Sequence, residues 1–199
     1  MDHTDDSNLA YGATVASTVA DVLRSRRTNL QVKPDDEIAR ADIELLIELA
    51  TWAPNHKRTW PWRFTVLQGS ARARFGEALA SAAQQVSTIA ADKRSKLPTK
   101  YLRSPVVLLV WTHVSSDPVV AREDRDATAA AVQNILIAAT GLGMASYWGS
   151  LPEVLWDGAR EFAGQDSDAD PVALIYLGWP IGKPLAPPRG PADTTWLTQ

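Results

Sequence analysis

The sequence predicts an α+β fold, and three observations carry the prediction. The apolar, β-branched run from Pro105 to Trp111 has the composition of a central strand buried on both faces. Arg63-Phe64-Thr65-Val66-Leu67-Gln68 alternates as a half-buried strand does, and Gly69-Ser70 closes it. Two alanine-rich stretches, residues 71–93 and 126–142, read as helices. The full order, α-α-β-α-β-α-α-β, suits a layered α+β fold, although helices between three strands also permit an α/β reading.

Each element has a local reason. Residues 1–10 read as a flexible polar tail. Val15, Val19, Val22 and Leu23 recur at helical spacing, which predicts an amphipathic helix over 14–25. Pro34-Asp35-Asp36 has the chemistry of a helix N-terminus, and Ile38, Ile43, Leu46, Ile47 and Leu49 supply an apolar stripe. Pro54 ends that helix near Ala53, because the residue before proline avoids the α region. Val114 to Asp124 reads as a polar loop. A short helix is expected near 152–162, and Val172 to Leu177 as the last strand. From Pro180 the chain is punctuated by Pro184, Pro187, Pro188 and Pro191 and reads as extended, with Trp196 pinning the end. The organisation is a tail at 1–10, one domain at 11–183 and a proline-rich arm at 184–199.

Composition narrows the function. The chain has 199 residues, 45% hydrophobic and 22% charged, and a net charge of −3. That is the make-up of one soluble domain with a core. It has no cysteine, which excludes disulfides, thiolate metal sites and a cysteine nucleophile. Histidines at 3, 56 and 113 give no pair with metal-ligand spacing. The acidic balance argues against nucleic-acid binding, and no apolar run reaches the ~18 residues of a membrane span. The acidic start is unlike a secretory signal, so the expected location is cytoplasmic. Gly141-Leu142-Gly143 lacks the strand–glycine–helix context of a dinucleotide fingerprint; Gly143 reads as a helix stop.

Two clusters carry chemistry. Arg24, Arg26, Arg27 and Thr28 end the first helix. The arginines offset the helix dipole or clamp a phosphate, and the spacing leaves both open. His56, Lys57 and Arg58 stand beside Trp60 and Trp62 in a loop between helix and strand. Trp62 reads as a core anchor. Three consecutive cations in an acidic chain point instead to a planar, anionic, aromatic ligand. Alanines 127, 130, 131, 138 and 139 on the 126–142 helix reflect helix propensity or close packing at a subunit interface.

Taken together, these segments resemble the nitroreductase family of flavoproteins. Arg26-Arg27-Thr28 is similar to its Arg-Arg-Ser. Ala53-Pro54-Asn55-His56-Lys57 with Pro61-Trp62-Arg63-Phe64 is similar to its A-P-x-H-K and P-W-x-F signature. Gln133-Asn134, Gly141-Leu142-Gly143 and Trp148-Gly149-Ser150 follow in the family's order, and Leu177-Gly178-Trp179-Pro180 resembles its closing strand end. The resemblance covers roughly residues 15–185 and points to the compact, single-domain branch.

The resemblance implies a three-layer α/β/α sandwich with a mainly antiparallel sheet, and an intertwined homodimer with FMN at the subunit interface. Arg26, Arg27 and Thr28 would hold the phosphate and ribityl end. Trp52, His56 and Lys57 would belong to the flavin site, with Trp52 and His56 reaching it from the other subunit. Trp148, Gly149 and Ser150 would approach the isoalloxazine, and Ala138 to Gly143 matches a stretch associated with the nicotinamide. The implied activity is ping-pong transfer of hydride from NAD(P)H, through flavin N5, to a nitroaromatic, quinone or similar acceptor. A flavin carrier or sensor without turnover, or another flavin redox reaction on the same scaffold, are the alternatives. Trp52 stands where relatives can carry arginine, Trp60 where a polar residue is common, and Arg189 is a further candidate for the phosphate.

Overall fold

The computed structural model describes residues 5–84, 86–182 and 184–198. Residues 1–4 of the expected tail, residue 85, residue 183 at the expected end of the domain and residue 199 of the arm lie outside the described residues. Four strands, β1 (Trp62–Gln68), β2 (Val106–His113), β3 (Ala145–Gly149) and β4 (Ala169–Gly178), form one antiparallel sheet in the order β1-β2-β4-β3. The helices are α1 (Asp5–Ser25), α2 (Arg40–Ala50), α3 (Ala71–Gln84), α4 (Ala91–Arg94), α5 (Leu97–Lys100), α6 (Pro118–Gly141) and α7 (Trp156–Ala163). Among the described residues no helix is long and apolar enough to cross a membrane.

The alternation of side chains along a strand builds two cores on one sheet. From β2, Val106, Leu108 and Val110 face the layer of α2 and α6, while Val107, Leu109 and Trp111 face the layer of α3, α5 and α7. From β4, Ala173, Ile175 and Leu177 go to the first core and Leu174 and Tyr176 to the second. β2 is therefore buried on both faces along nearly its whole length, as its composition predicts. The architecture is the expected three-layer α+β sandwich.

Several boundaries differ from the expectation, each for a local reason. α1 begins at Asp5, so residues 5–10 are helical rather than tail. α2 starts at Arg40 and not at Pro34. The Gln68 side chain donates to the Ile38 carbonyl at 3.1 Å and the Trp179 indole to the Glu37 carbonyl at 3.0 Å, which holds 37–38 out of the helix. The 71–93 helix ends at Gln84, and α4 and α5 follow as separate turns. α6 begins at Pro118, inside the expected loop: Asp117 caps Val119 N–H at 2.8 Å and proline occupies the first turn. β3 is a strand the sequence reading lacks.

α6 stops as expected at Gly143, whose φ of 79° suits glycine. Gly143 N–H donates to Thr140 O and Met144 N–H to Ala139 O, the paired bonds of a Schellman ending. Ala127, Ala131 and Ala139 are buried in the chain's own core under α2 rather than at a subunit interface. Asn134 ties the two helices by donating to Leu49 O at 3.2 Å. Gly178 has a different necessity: a Cβ there would meet the Val32 side chain at 2.8 Å. That approach lets residues 28–33 run beside the sheet, with Lys33 N–H donating to Trp179 O and Ile181 N–H to Gln31 O, both at 3.0 Å. Trp196 is 82% exposed and pinned by nothing in its own chain among the described residues.

Candidate functional site

The first cluster lies where α1 hands over to the sheet. Thr28 bridges Ser146 of β3, and Asn29 N–H donates to Ser146 O at 2.9 Å. Arg26 and Arg27 are half-buried and Thr28 is exposed. Arg27 Nη1 donates to the carbonyls of Arg24 and, at 2.8 Å, of Arg26. This fixes the guanidinium while leaving Nε and Nη2 without a protein acceptor among the described residues. Arg27 lines a cavity of about 140 Å³ together with Ser25, Asn29, Thr140, Met144 and Pro180. A cavity of that size suits a phosphate group rather than a whole nucleotide. Ser146 Oγ, buried without a hydrogen-bond partner among the described residues, sits on the strand position bridged to Thr28.

The second cluster is a strained loop. His56–Arg58 form a single 3-10 turn, and Lys57, Arg58 and Trp60 have φ of 60°, 54° and 50°. Left-handed backbone at residues with a Cβ costs about 1 kcal/mol or more each and persists only where the surroundings enforce it. Here Asn55 accepts from Trp60 N–H at 2.8 Å and donates to Thr59 Oγ1 at 3.0 Å. Thr59 in turn donates to Asp124, which is 1% exposed on α6. His56 Nδ1 lies 2.9 Å from Glu123 Oε2. The loop thus presents Lys57, Arg58 and an exposed Trp60 ring that meets buried Trp62 edge-on at 5.8 Å. Trp62 is the expected core anchor. Trp52, 75% exposed, is held by an indole bond to Glu48 at 2.5 Å, so a ring face remains open to solvent.

Trp148 and Gly149 end β3 and Ser150 follows it, with Trp148 partly exposed and Ser150 exposed. Ser146 and Ser150 are four residues apart, roughly 13 Å along a strand. The Arg27 cavity and the Trp148–Ser150 end therefore fall along one edge of the sheet in one chain. Ala138 is half-buried against the α6 core and Gly143 is engaged in ending the helix.

The structure does not bring the two clusters together. The His56 loop is anchored at Glu123 and Asp124 near the start of α6, while the Arg27 cavity is lined by Thr140 near its end. Seventeen residues of helix separate these points, roughly 25 Å at about 1.5 Å per residue. β1, which the loop precedes, and β3 are also opposite edges of the sheet. Arg189, in the arm, is exposed.

Glu123, Asp124 and Asn55 escape the sequence reading as loop-holding residues. The signal for the two acids was Asp117-Pro118, a cap followed by proline, which places them in the second turn of a helix rather than in a loop.

The fold defines a three-layer α+β class, and comparison with known proteins gives it a family. The Nitroreductase family model matches residues 23–179, and the chain belongs to the Nitroreductase family. It is similar to YfhC of Bacillus subtilis, provisionally named an NAD(P)H nitroreductase, at 27% identity over 88% of this chain and 91% of that one. A nitroreductase-like family protein from Bacillus cereus superposes with a TM-score of 0.75 at 23% identity, covering 87% of this chain and 91% of that one. The FMN-dependent nitroreductase NfnB from Mycobacterium smegmatis, solved in complex with NADPH, gives a TM-score of 0.72 at 19% identity, covering 92% and 100%.

Proposed function

We propose that the chain is an FMN-dependent NAD(P)H oxidoreductase working as a homodimer, with each flavin site built from two chains. The observation that carries this reading is the roughly 25 Å of α6 between Glu123, which anchors the cationic–aromatic loop, and Thr140, which lines the Arg27 cavity. With the loop before one edge strand and the cavity beside the other, a site shared between two chains lets both clusters serve a single flavin. The exposed stripe Val15, Val19 and Leu23 on α1 supports association, because three apolar side chains at i, i+4 and i+8 lie unburied in the chain. The exposed Leu185, Trp196 and Leu197 of the arm fit a partner's surface in the same way.

In this reading Arg27, with Arg26 and Thr28, binds the phosphate by charge-assisted hydrogen bonds. Trp148, Gly149 and Ser150 border the ring from the same chain, and Trp52, His56 and Lys57 close on it from the other. Ala138 and Gly143 remain candidates for the nicotinamide side. The bound flavin supplies hydride acceptance from NAD(P)H and ping-pong delivery to a nitroaromatic, quinone or similar acceptor. Lys57 would bring positive charge, and His56 a ring nitrogen, to a flavin held there. Trp52 and Trp60 exclude water and give a planar acceptor apolar surface to lie against. Anaerobic titration of the FMN-loaded protein with NADPH tests the activity. Bleaching of the flavin bands, with NADPH oxidised on addition of a quinone, is expected. A bound flavin that NADPH leaves oxidised would make the chain a carrier and overturn the enzymatic reading.

A further inference from the structure

A third cationic feature is lined by residues of neither cluster. α4, α5 and the segment after β3 enclose a cavity of about 480 Å³. Its base is apolar: Leu97 and Leu155 are buried, and Ile89, Pro152 and Val154 continue the surface outward. Lys93, Lys96, Lys100 and Arg103 line the same cavity, and no carboxylate does among the described residues. Spacings of three and four residues bring the three lysines onto one side of consecutive helical turns.

Carboxylates of the chain offset these charges little. Lys96 has Asp92 at 4.0 Å, with both side chains well exposed, and such a pair contributes little. Lys93, Lys100 and Arg103 have no carboxylate partner among the described residues. Burial, and then the charge of Arg103, hold the Lys100 ammonium below the usual lysine range. Both cations instead rest on tyrosine rings: Lys100 Nζ lies 5.7 Å from the Tyr101 centroid and Arg103 5.2 Å from that of Tyr176. Those rings stack 6.4 Å apart in the core, so half-buried Lys100 and exposed Arg103 both rest on rigid structure. Like charges gathered around an apolar hollow, in a chain of net charge −3, suit a ligand that brings both a negative charge and an apolar body.

We propose that this cavity is a binding site for a small aromatic monoanion, an aryl carboxylate being the simplest member of the class. The ring occupies the Leu97–Leu155 base, and the carboxylate meets Lys93, Lys96 and Lys100 at the mouth. The cavity is lined by none of the residues assigned to the flavin, although its Pro152 follows Ser150 by two positions.

Calorimetric titration with 2-naphthoate, with 2-naphthalenemethanol as the neutral control, tests it on flavin-loaded and flavin-stripped protein. Naphthoate is expected to bind both forms equally and at least tenfold more tightly than the alcohol. Lys100→Gln should weaken naphthoate at least tenfold. The exposed pair Lys93→Gln/Lys96→Gln, which leaves the core untouched, should weaken it at least fivefold, and Val154→Asp should do the same from the apolar side. Equal binding of the neutral alcohol, variants all within twofold of the parent, or loss of naphthoate binding on loading flavin would each overturn the proposal.

Discussion

The two ends of α6 hold their cations by opposite means. At its C-terminal end, Arg26, Arg27 and Thr28 are held by ordinary structure: a helix end, a strand bridge and main-chain hydrogen bonds. At its N-terminal end, Lys57 and Arg58 ride on left-handed backbone held down by Asn55, Thr59 and buried Asp124. The difference teaches that a phosphate-sized pocket can be built from regular elements, whereas a surface that must present cations and a tryptophan outward is built under strain and needs dedicated anchors.

Substitutions sharpen this contrast. The largest effect is expected for Arg26→Ala/Arg27→Ala, which should weaken FMN at least 100-fold, about 3 kcal/mol, while leaving the thermal midpoint within a few degrees. Flavin fluorescence and a melting curve read the two quantities separately. At the strained end the balance reverses: Asp124→Ala removes a buried acceptor and should cost about 2 kcal/mol in a urea titration. Asn55→Ala should cost about 1 kcal/mol by the same measurement. Glycine separates the ends by sign. Lys57→Gly relieves left-handed backbone and should stabilise by about 0.5 kcal/mol, whereas Thr28→Gly, in extended backbone, should destabilise by about as much. Least of all, Glu123→Gln should shift stability by less than about 0.5 kcal/mol, since its partner His56 is largely exposed.

The parts of the fold legible in the sequence are those fixed by local pattern. The Pro105–Trp111 run reads as a strand buried on both faces and Gly143 as a helix stop, and both are so in the fold. β3 was not legible because its five residues are split between buried and exposed positions and its partner, β4, begins 20 residues after β3 ends. The start of α2 was misread because tertiary bonds to Glu37 and Ile38 override a helix signal at Pro34. α1 was legible as amphipathic, yet its apolar stripe faces outward, since nothing in a single sequence tells a core from a partner. For the site, residue types and order revealed both clusters, but their separation along α6 is visible only in the fold.

The central claim is that one flavin site needs two chains, and subunit mixing tests it directly. Arg26→Ala/Arg27→Ala protein and His56→Ala/Lys57→Ala protein, carrying different tags, are co-expressed and the doubly tagged dimer is isolated. Each variant alone should bind little FMN. A mixed dimer contains one site with both clusters intact if the site is shared, and should recover FMN at about one per dimer with NADPH-dependent bleaching. A mixed dimer that binds no more flavin than its parents, or the failure of any mixed dimer to form, would contradict the account.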